Sequence, residues 1–184
     1  MARKRTKRRA RDRTDRLLLI VDMLNGFLDP AGSLYCGDAA RRIIPFVRRR
    51  VERYTAAARP VVFICDSHEP DSAEFETYGQ HCIRGTWEAK IIPELPTGDA
   101  SVLHKKTLSA FHGTQLAAKL LDHAPEVVEL VGVCTDICVL YTAFDLKARD
   151  YRVEVPRRGV HSFSRAGHAA GLKILRNSLK VKVT

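Results

Sequence analysis

No stretch of this 184-residue chain approaches the roughly 18 consecutive apolar residues that a membrane span requires. Its basic start runs into Leu17-Leu18-Leu19-Ile20-Val21 and then Asp22, too short a core for a signal peptide. A soluble, cytoplasmic protein with no membrane partner is expected. The five cysteines (Cys36, Cys65, Cys82, Cys134, Cys138) are odd in number and irregular in spacing, which excludes the disulfide framework of a small secreted domain and makes reduced thiols the default. Internal repeats are absent, and there is no low-complexity tract beyond the basic start.

Positive charge, by contrast, is abundant and unevenly spread. The net charge is +10, yet the first sixteen residues carry nine Lys/Arg against Asp12 and Asp15 and so account for +7 of it. Self-repulsion without an apolar stripe to bury predicts a disordered arm over residues 1–15. Such an arm could touch nucleic acid non-specifically, although a solvated tail or an overlong start is the plainer account. Residues 16–184, 45% of the whole chain being hydrophobic, suffice for one domain with a sizeable core.

Apolar runs of strand length are expected as strands over Arg16–Asp22, Pro60–Cys65, Ser101–His104, Val127–Val131, Arg152–Val155 and Leu179–Val183. Helical spacing covers 39–58, 114–123, 136–150 and 165–177. The alternation predicts an α/β fold, a three-layer α/β/α sandwich with a mainly parallel sheet of about six strands. In such sheets ligands bind beyond the carboxyl ends of the strands. That rule selects Asp22, Asp66 and His68, Lys105, and the turn from Cys134 to Cys138. The Pro-, Gly- and charge-rich segment 69–95 reads as a long loop or broken helix over the same edge.

Cys138 falls in the first turn of a helix that Thr135 or Asp136 could cap, where unpaired amides and the dipole favour a thiolate. One cysteine alone is more often a small apolar residue. A thiolate nucleophile also needs a proton acceptor and a cation, and Asp22 and Lys105 are available on the same edge. A carboxylate ending an apolar strand is expensive unless paired or functional.

The run Leu19-Ile20-Val21-Asp22-Met23-Leu24-Asn25-Gly26-Phe27, Lys105 four residues before Ser109-Ala110-Phe111, and Gly132-Val133-Cys134-Thr135-Asp136-Ile137-Cys138-Val139 with Thr142 resemble the isochorismatase-like cysteine hydrolases, and within them the nicotinamidases. The resemblance runs from about Arg16 to the C-terminus. It implies a triad of Asp22, Lys105 and Cys138, with Lys105 preferred over Lys106 by its spacing from the Ser-Ala-Phe element. It also implies a cis peptide between Val133 and Cys134 and an oxyanion hole formed by the Cys134 and Cys138 amides. Asp66-x-His68 and His81, with Glu74 as an additional acidic ligand, resemble the site at which nicotinamidases hold a divalent metal (Zn²⁺, Fe²⁺ or Mn²⁺), and their donors suit such ions. Phe27 and Tyr78 match positions that sandwich a pyridine ring, beside Cys134; Tyr78 stands where many relatives have Trp, and Gly26 where they usually have Asp. The activity implied by the resemblance is hydrolysis of nicotinamide to nicotinate and ammonia, a step of NAD salvage, by a homo-oligomer. Alternatives are a family hydrolase of another small amide, carbamoyl compound or isochorismate, and a nucleic-acid-binding protein on an inactive scaffold.

Overall fold

The computed structural model describes residues 14–184, so the expected arm lies outside the described residues up to position 13. Its last two positions are tied to the domain: the Thr14 amide donates to the His123 carbonyl, and the Asp15 carboxylate pairs with Arg59.

Among the described residues seven strands form one sheet: β1 (Arg16–Val21), β2 (Val61–Asp66), β3 (Ser101–Lys105), β4 (Val127–Val133), β5 (Arg152–Val155), β6 (Val160–His161) and β7 (Lys182–Val183). The order is β3-β2-β1-β4-β5-β7, with β6 pairing the end of β4, and every pairing is parallel. The expected sheet of about six strands is thus present with one more. β6 is two residues long and leaves no periodic signal, and the expected strand 179–183 shrinks to its last pair.

Seven helices accompany it: α1 (Asn25–Leu28), α2 (Asp38–Arg41), α3 (Ile44–Ala56), α4 (Phe75–Tyr78), α5 (Leu116–His123), α6 (Cys138–Lys147) and α7 (Arg165–Asn177). The helix expected over 39–58 is two, because Pro45 lacks an N–H to continue an incoming helix and sits instead in the first turn of α3. The segment 69–95 is largely irregular, with α4 as its short broken helix.

Strand alternation separates the two sides of the sheet. Leu18 and Ile20 of β1 pack with Val47, Val51 and Tyr54 of α3, while Leu17, Leu19 and Val21 pack with Leu116 and Leu120 of α5, Val139, Ala143 and Leu146 of α6, and Leu172 and Leu175 of α7. Both faces of the central strands are buried, which explains their unbroken apolar runs. Glu129 is the exception in β4. It is fully buried, and its carboxylate is met by Arg16, Arg50 and the Tyr54 hydroxyl. Among the described residues no helix is long and apolar enough to cross a membrane.

Candidate active site

The register aligns the strand ends that matter. Val21 is level with Ile64 and Gly132, and Asp66 with Lys105, so Asp22, Asp66, Lys105 and the turn 132–138 share one edge. Asp22 leaves β1 in the left-handed region, at φ 53°, a conformation uncommon for a residue with a Cβ and frequent at functional turns. The Val133–Cys134 peptide is cis.

Lys105 is completely buried, whereas Lys106 is half exposed and pairs with Glu69. Lys105 Nζ lies 2.5 Å from Asp66 Oδ1, 2.9 Å from Asp22 Oδ2 and 3.5 Å from Cys138 Sγ. The contact with Asp22 Oδ2 is Coulombic, its angle falling outside hydrogen-bond geometry, while Asp22 Oδ1 accepts from the Asp66 amide at 3.0 Å. Oxygens of Asp22 and Asp66 and the Cys138 sulfur all lie within 4.8 Å of one another.

Burial, reinforced by the Asp66 charge and opposed by Lys105, pushes the Asp22 carboxyl up to about 7. Burial also penalises the Lys105 ammonium, but Asp22, Asp66 and Cys138 outweigh it and hold that group charged well above its usual range. Cys138 is raised by burial against the pull of Lys105, and the Asp22 carboxylate lies close enough to take the thiol proton.

Cys138 is the first residue of α6, but neither expected side-chain cap is made. The helix is preceded by Ile137; Thr135 Oγ1 pairs with His168 Nδ1, and Asp136 accepts from the Ser162 hydroxyl. The turn is held by strand β6 and helix α7 instead. Among the described residues the Cys134 and Cys138 amides have no acceptor, whereas Thr135, Ile137 and Val139 donate to backbone carbonyls. Two free N–H groups beside the thiol can receive an oxyanion. Cys134 Sγ lies 3.5 Å from Cys36 Sγ, and all five cysteines are free.

One donor atom each from Asp66, His68, Glu74 and His81 forms a second cluster within 4.8 Å. His81 Nδ1 sits 2.9 Å from the Gly79 carbonyl, which can only accept, so Nδ1 carries a proton and Nε2, 3.8 Å from Asp66 Oδ2, is the nitrogen available to a metal. His68 Nδ1 is 3.3 Å from the Ser72 hydroxyl, and its buried Nε2 has no hydrogen-bond partner. An orphaned buried imidazole nitrogen facing a carboxylate and a second imidazole fits a divalent cation. Glu74, half-buried and raised by burial and by Asp66, completes an acidic and imidazole donor set.

Asp22 and Cys138 of the first cluster and Asp66, Glu74 and His81 of the second line one cavity, about 310 Å³ with its open mouth included, together with Phe27 and Tyr78. The Phe27 and Tyr78 rings stand 5.8 and 6.5 Å from the His81 ring. Leu34, Leu108, Ile137 and Phe163 also line it, and sequence reasoning missed them. Phe163 follows β6, a strand too short to announce its end. Gly26 is explained by packing, since a Cβ there would meet Cys82 Sγ at 2.8 Å and the Glu88 Cβ at 3.2 Å.

Comparison with known proteins places these features in context. The isochorismatase domain matches residues 16–184. The nicotinamidase PncA of Bacillus subtilis superposes with a TM-score of 0.87 at 30% identity, covering 93% of this chain and 99% of that one. A Pyrococcus horikoshii pyrazinamidase solved in complex with zinc gives 0.85 at 26% identity, covering 92% and 98%. The N-carbamoylsarcosine amidase of Thermoplasma acidophilum gives 0.84 at 29% identity, covering 93% and 96%.

Proposed function

This chain belongs to the isochorismatase family of hydrolases, and from that premise we propose that it is a nicotinamidase-like amidohydrolase with Cys138 as nucleophile, Asp22 as general base and Lys105 as supporting cation. The observation that carries the reading is one small cavity lined by members of two side-chain clusters: Asp22, Lys105 and Cys138 on one side, and Asp66, His68, Glu74 and His81 on the other.

In the reaction Asp22 accepts the Cys138 thiol proton, and the thiolate attacks the carboxamide carbon. Lys105, fixed between Asp22 and Asp66, holds the negative charge that moves between carboxylate and sulfur. The amides of Cys134 and Cys138 receive the tetrahedral oxyanion, a contribution worth on the order of 10²-fold or more in other hydrolases. Asp22 returns its proton to the departing ammonia, and water then cleaves the thioester to release the acid. A divalent cation held by Asp66, His68, His81 and Glu74 would supply a Lewis-acid anchor for the ring nitrogen of a heteroaromatic amide. Phe27 and Tyr78 orient such a ring from the cavity wall.

Ammonia release from nicotinamide tests the proposal, with abolition expected in Cys138→Ala. Hydrolysis that survives that substitution overturns the cysteine mechanism. The likeness to an N-carbamoylsarcosine amidase favours a second reading, a small carbamoyl or amide substrate in the same pocket. A panel of nicotinamide, pyrazinamide and simple carbamoyl compounds separates the two.

A further inference from the structure

The arginines around α2 and α3 fall into two groups. Arg41 is used by Glu94 and the Leu28 carbonyl, Arg48 by Glu52, and Arg50 by Glu129. Arg42 and Arg49, on the same stretch of chain, have no carboxylate among the described residues. Neither do the side chains of Arg157 and Arg158, in the 3-10 turn Arg157–Gly159 after β5; the Arg157 amide donates to the Thr184 backbone oxygen, and the Arg158 guanidinium lies 5.9 Å from the Phe46 ring centroid. These four side chains line one groove together with His161 of β6 and His168 of α7, and no acidic residue contributes to that lining. With its open mouth the groove measures about 980 Å³ and is separate from the cavity containing Cys138.

Four guanidinium groups lining one concavity with no carboxylate partner among the described residues repel one another, and this chain has carboxylates that it uses elsewhere. We propose that the groove is a binding site for a polyphosphate anion, recognised through two or more linked phosphoryl groups. A guanidinium presents a planar fork of donors that fits phosphate oxygens two at a time. One monovalent anion can use one such fork, whereas linked phosphoryls have the oxygens and charge for several.

The two imidazoles line the same groove. His161 Nδ1 donates to the Ser162 carbonyl, and His168 Nδ1 is engaged by Thr135 Oγ1, which leaves both Nε2 atoms uncommitted. Their rings stack with centroids 4.9 Å apart and 12° between planes. Burial, with the neighbouring His161 ring and the Arg157 charge, outweighs the Asp136 carboxylate and holds His168 below its usual value. The Phe46 ring in the same wall is already approached by Arg50 at 5.5 Å and Arg158 at 5.9 Å, cations with which a stacking base would have to compete. Recognition therefore rests on phosphate. That also argues against a single-stranded nucleic acid, whose binding surfaces combine a long basic track with open aromatic platforms.

Calorimetric titration of the full chain at about 150 mM salt, with sodium pyrophosphate and ATP as probes, tests the site. Both are expected to bind, and Arg42→Gln/Arg157→Gln, two exposed positions outside the catalytic cavity, is expected to weaken them at least about tenfold with an unchanged melting temperature. Equal affinities for the two probes identify the phosphates as the whole determinant, while tighter ATP binding identifies a nucleotide as the source. Absence of binding overturns the proposal. So does binding unchanged in the double variant, which belongs to the basic residues before position 14, and so does an RNA oligonucleotide that binds where neither probe does. A wild type that dimerises through this groove, binds neither anion and becomes monomeric in the double variant also overturns it. None of these readouts depends on hydrolysis, so failure here is distinguishable from failure of the proposed activity.

Discussion

Lys105 Nζ reaches to 3.5 Å from Cys138 Sγ although β3 is the edge strand and both β2 and β1 lie between it and β4. At strand spacings near 4.8 Å the separation of β3 from β4 is about 14 Å, more than a lysine side chain spans, so Lys105 from one side and the turn carrying Cys138 from the other close it along the carboxyl edge, with Asp66 and Asp22 in contact with the ammonium. Its ammonium is the one cation in contact with both carboxylates among the described residues. The proposed chemistry and the stability of this edge thus depend on the same group.

Lys105→Met should therefore fail in two ways. Two carboxylates left buried without their cation cost about 3–5 kcal/mol, a fall of roughly 10 °C in melting temperature for a domain of this size. Ammonia release should also be lost. Asp22→Asn/Lys105→Met removes one of the orphaned charges and is expected to recover part of the stability but none of the hydrolysis. A Lys105→Met protein that melts and turns over like wild type would contradict both roles of the lysine.

The same edge shows what could be read from sequence. Asp22 and Lys105 each follow an apolar run, and Asp66-x-His68 stands at the end of another, so strand periodicity alone brings them together. Cys138 becomes conspicuous only through the strand-to-helix turn before it. The support of that turn was not legible. Thr135 and Asp136 look like helix caps in sequence, yet His168 and Ser162, about thirty residues away, claim their side chains. Glu129 likewise sits in an apolar run, and its burial makes sense only once Arg16, Arg50 and Tyr54 surround it. Local pattern reports the backbone, and it is silent where a side chain is satisfied from a distant element.

The metal cluster makes a prediction independent of turnover. Zn²⁺, Fe²⁺ or Mn²⁺ binding to the folded form alone raises stability by RT ln(1 + [L]/Kd), about 2.7 kcal/mol at a hundredfold excess over Kd. Melting temperature should rise on adding one of these ions and fall back with a chelator. His68→Ala and His81→Ala should each abolish the rise, His68 because its Nε2 has no other partner. A shift of equal size in wild type and both variants would place the ion elsewhere.

Glu154 gives a pH-dependent contribution to stability far from the pocket. Burial would raise its carboxyl, but Lys182 at 2.8 Å and Arg16 at 2.5 Å outweigh that and hold it below its usual value. A depressed folded value means stability that is fully present above the unfolded value of about 4.5 and lost as pH falls through the folded one. Because Lys182 is exposed and screened, less than about 1 kcal/mol is expected. Wild type should melt about 2 °C above Glu154→Gln at pH 7, and the gap should close on acidification below about pH 4. A gap that widens on acidification would reverse the sign and refute the pairing.

Gly132, the last residue but one of β4, sits at φ +119°, and a Cβ there would lie 1.9 Å from the Val21 carbonyl oxygen and 2.8 Å from its carbonyl carbon. Both obstacles are backbone, and Val21 is level with Gly132 in the parallel register, so neither strand can retreat without breaking the pairing. A side chain would also be strained by the dihedral itself, which only glycine adopts readily. Gly132→Ala should therefore yield little folded protein, or melt far below wild type, and should displace both Asp22 and the turn leading to Cys138. Gly113, at φ +67° with nothing within 4 Å of where a Cβ would stand, is the control. Gly113→Ala should cost only about 1 kcal/mol. Equal losses in the two variants would show that the dihedral alone governs them and that close approach of β1 to β4 contributes nothing.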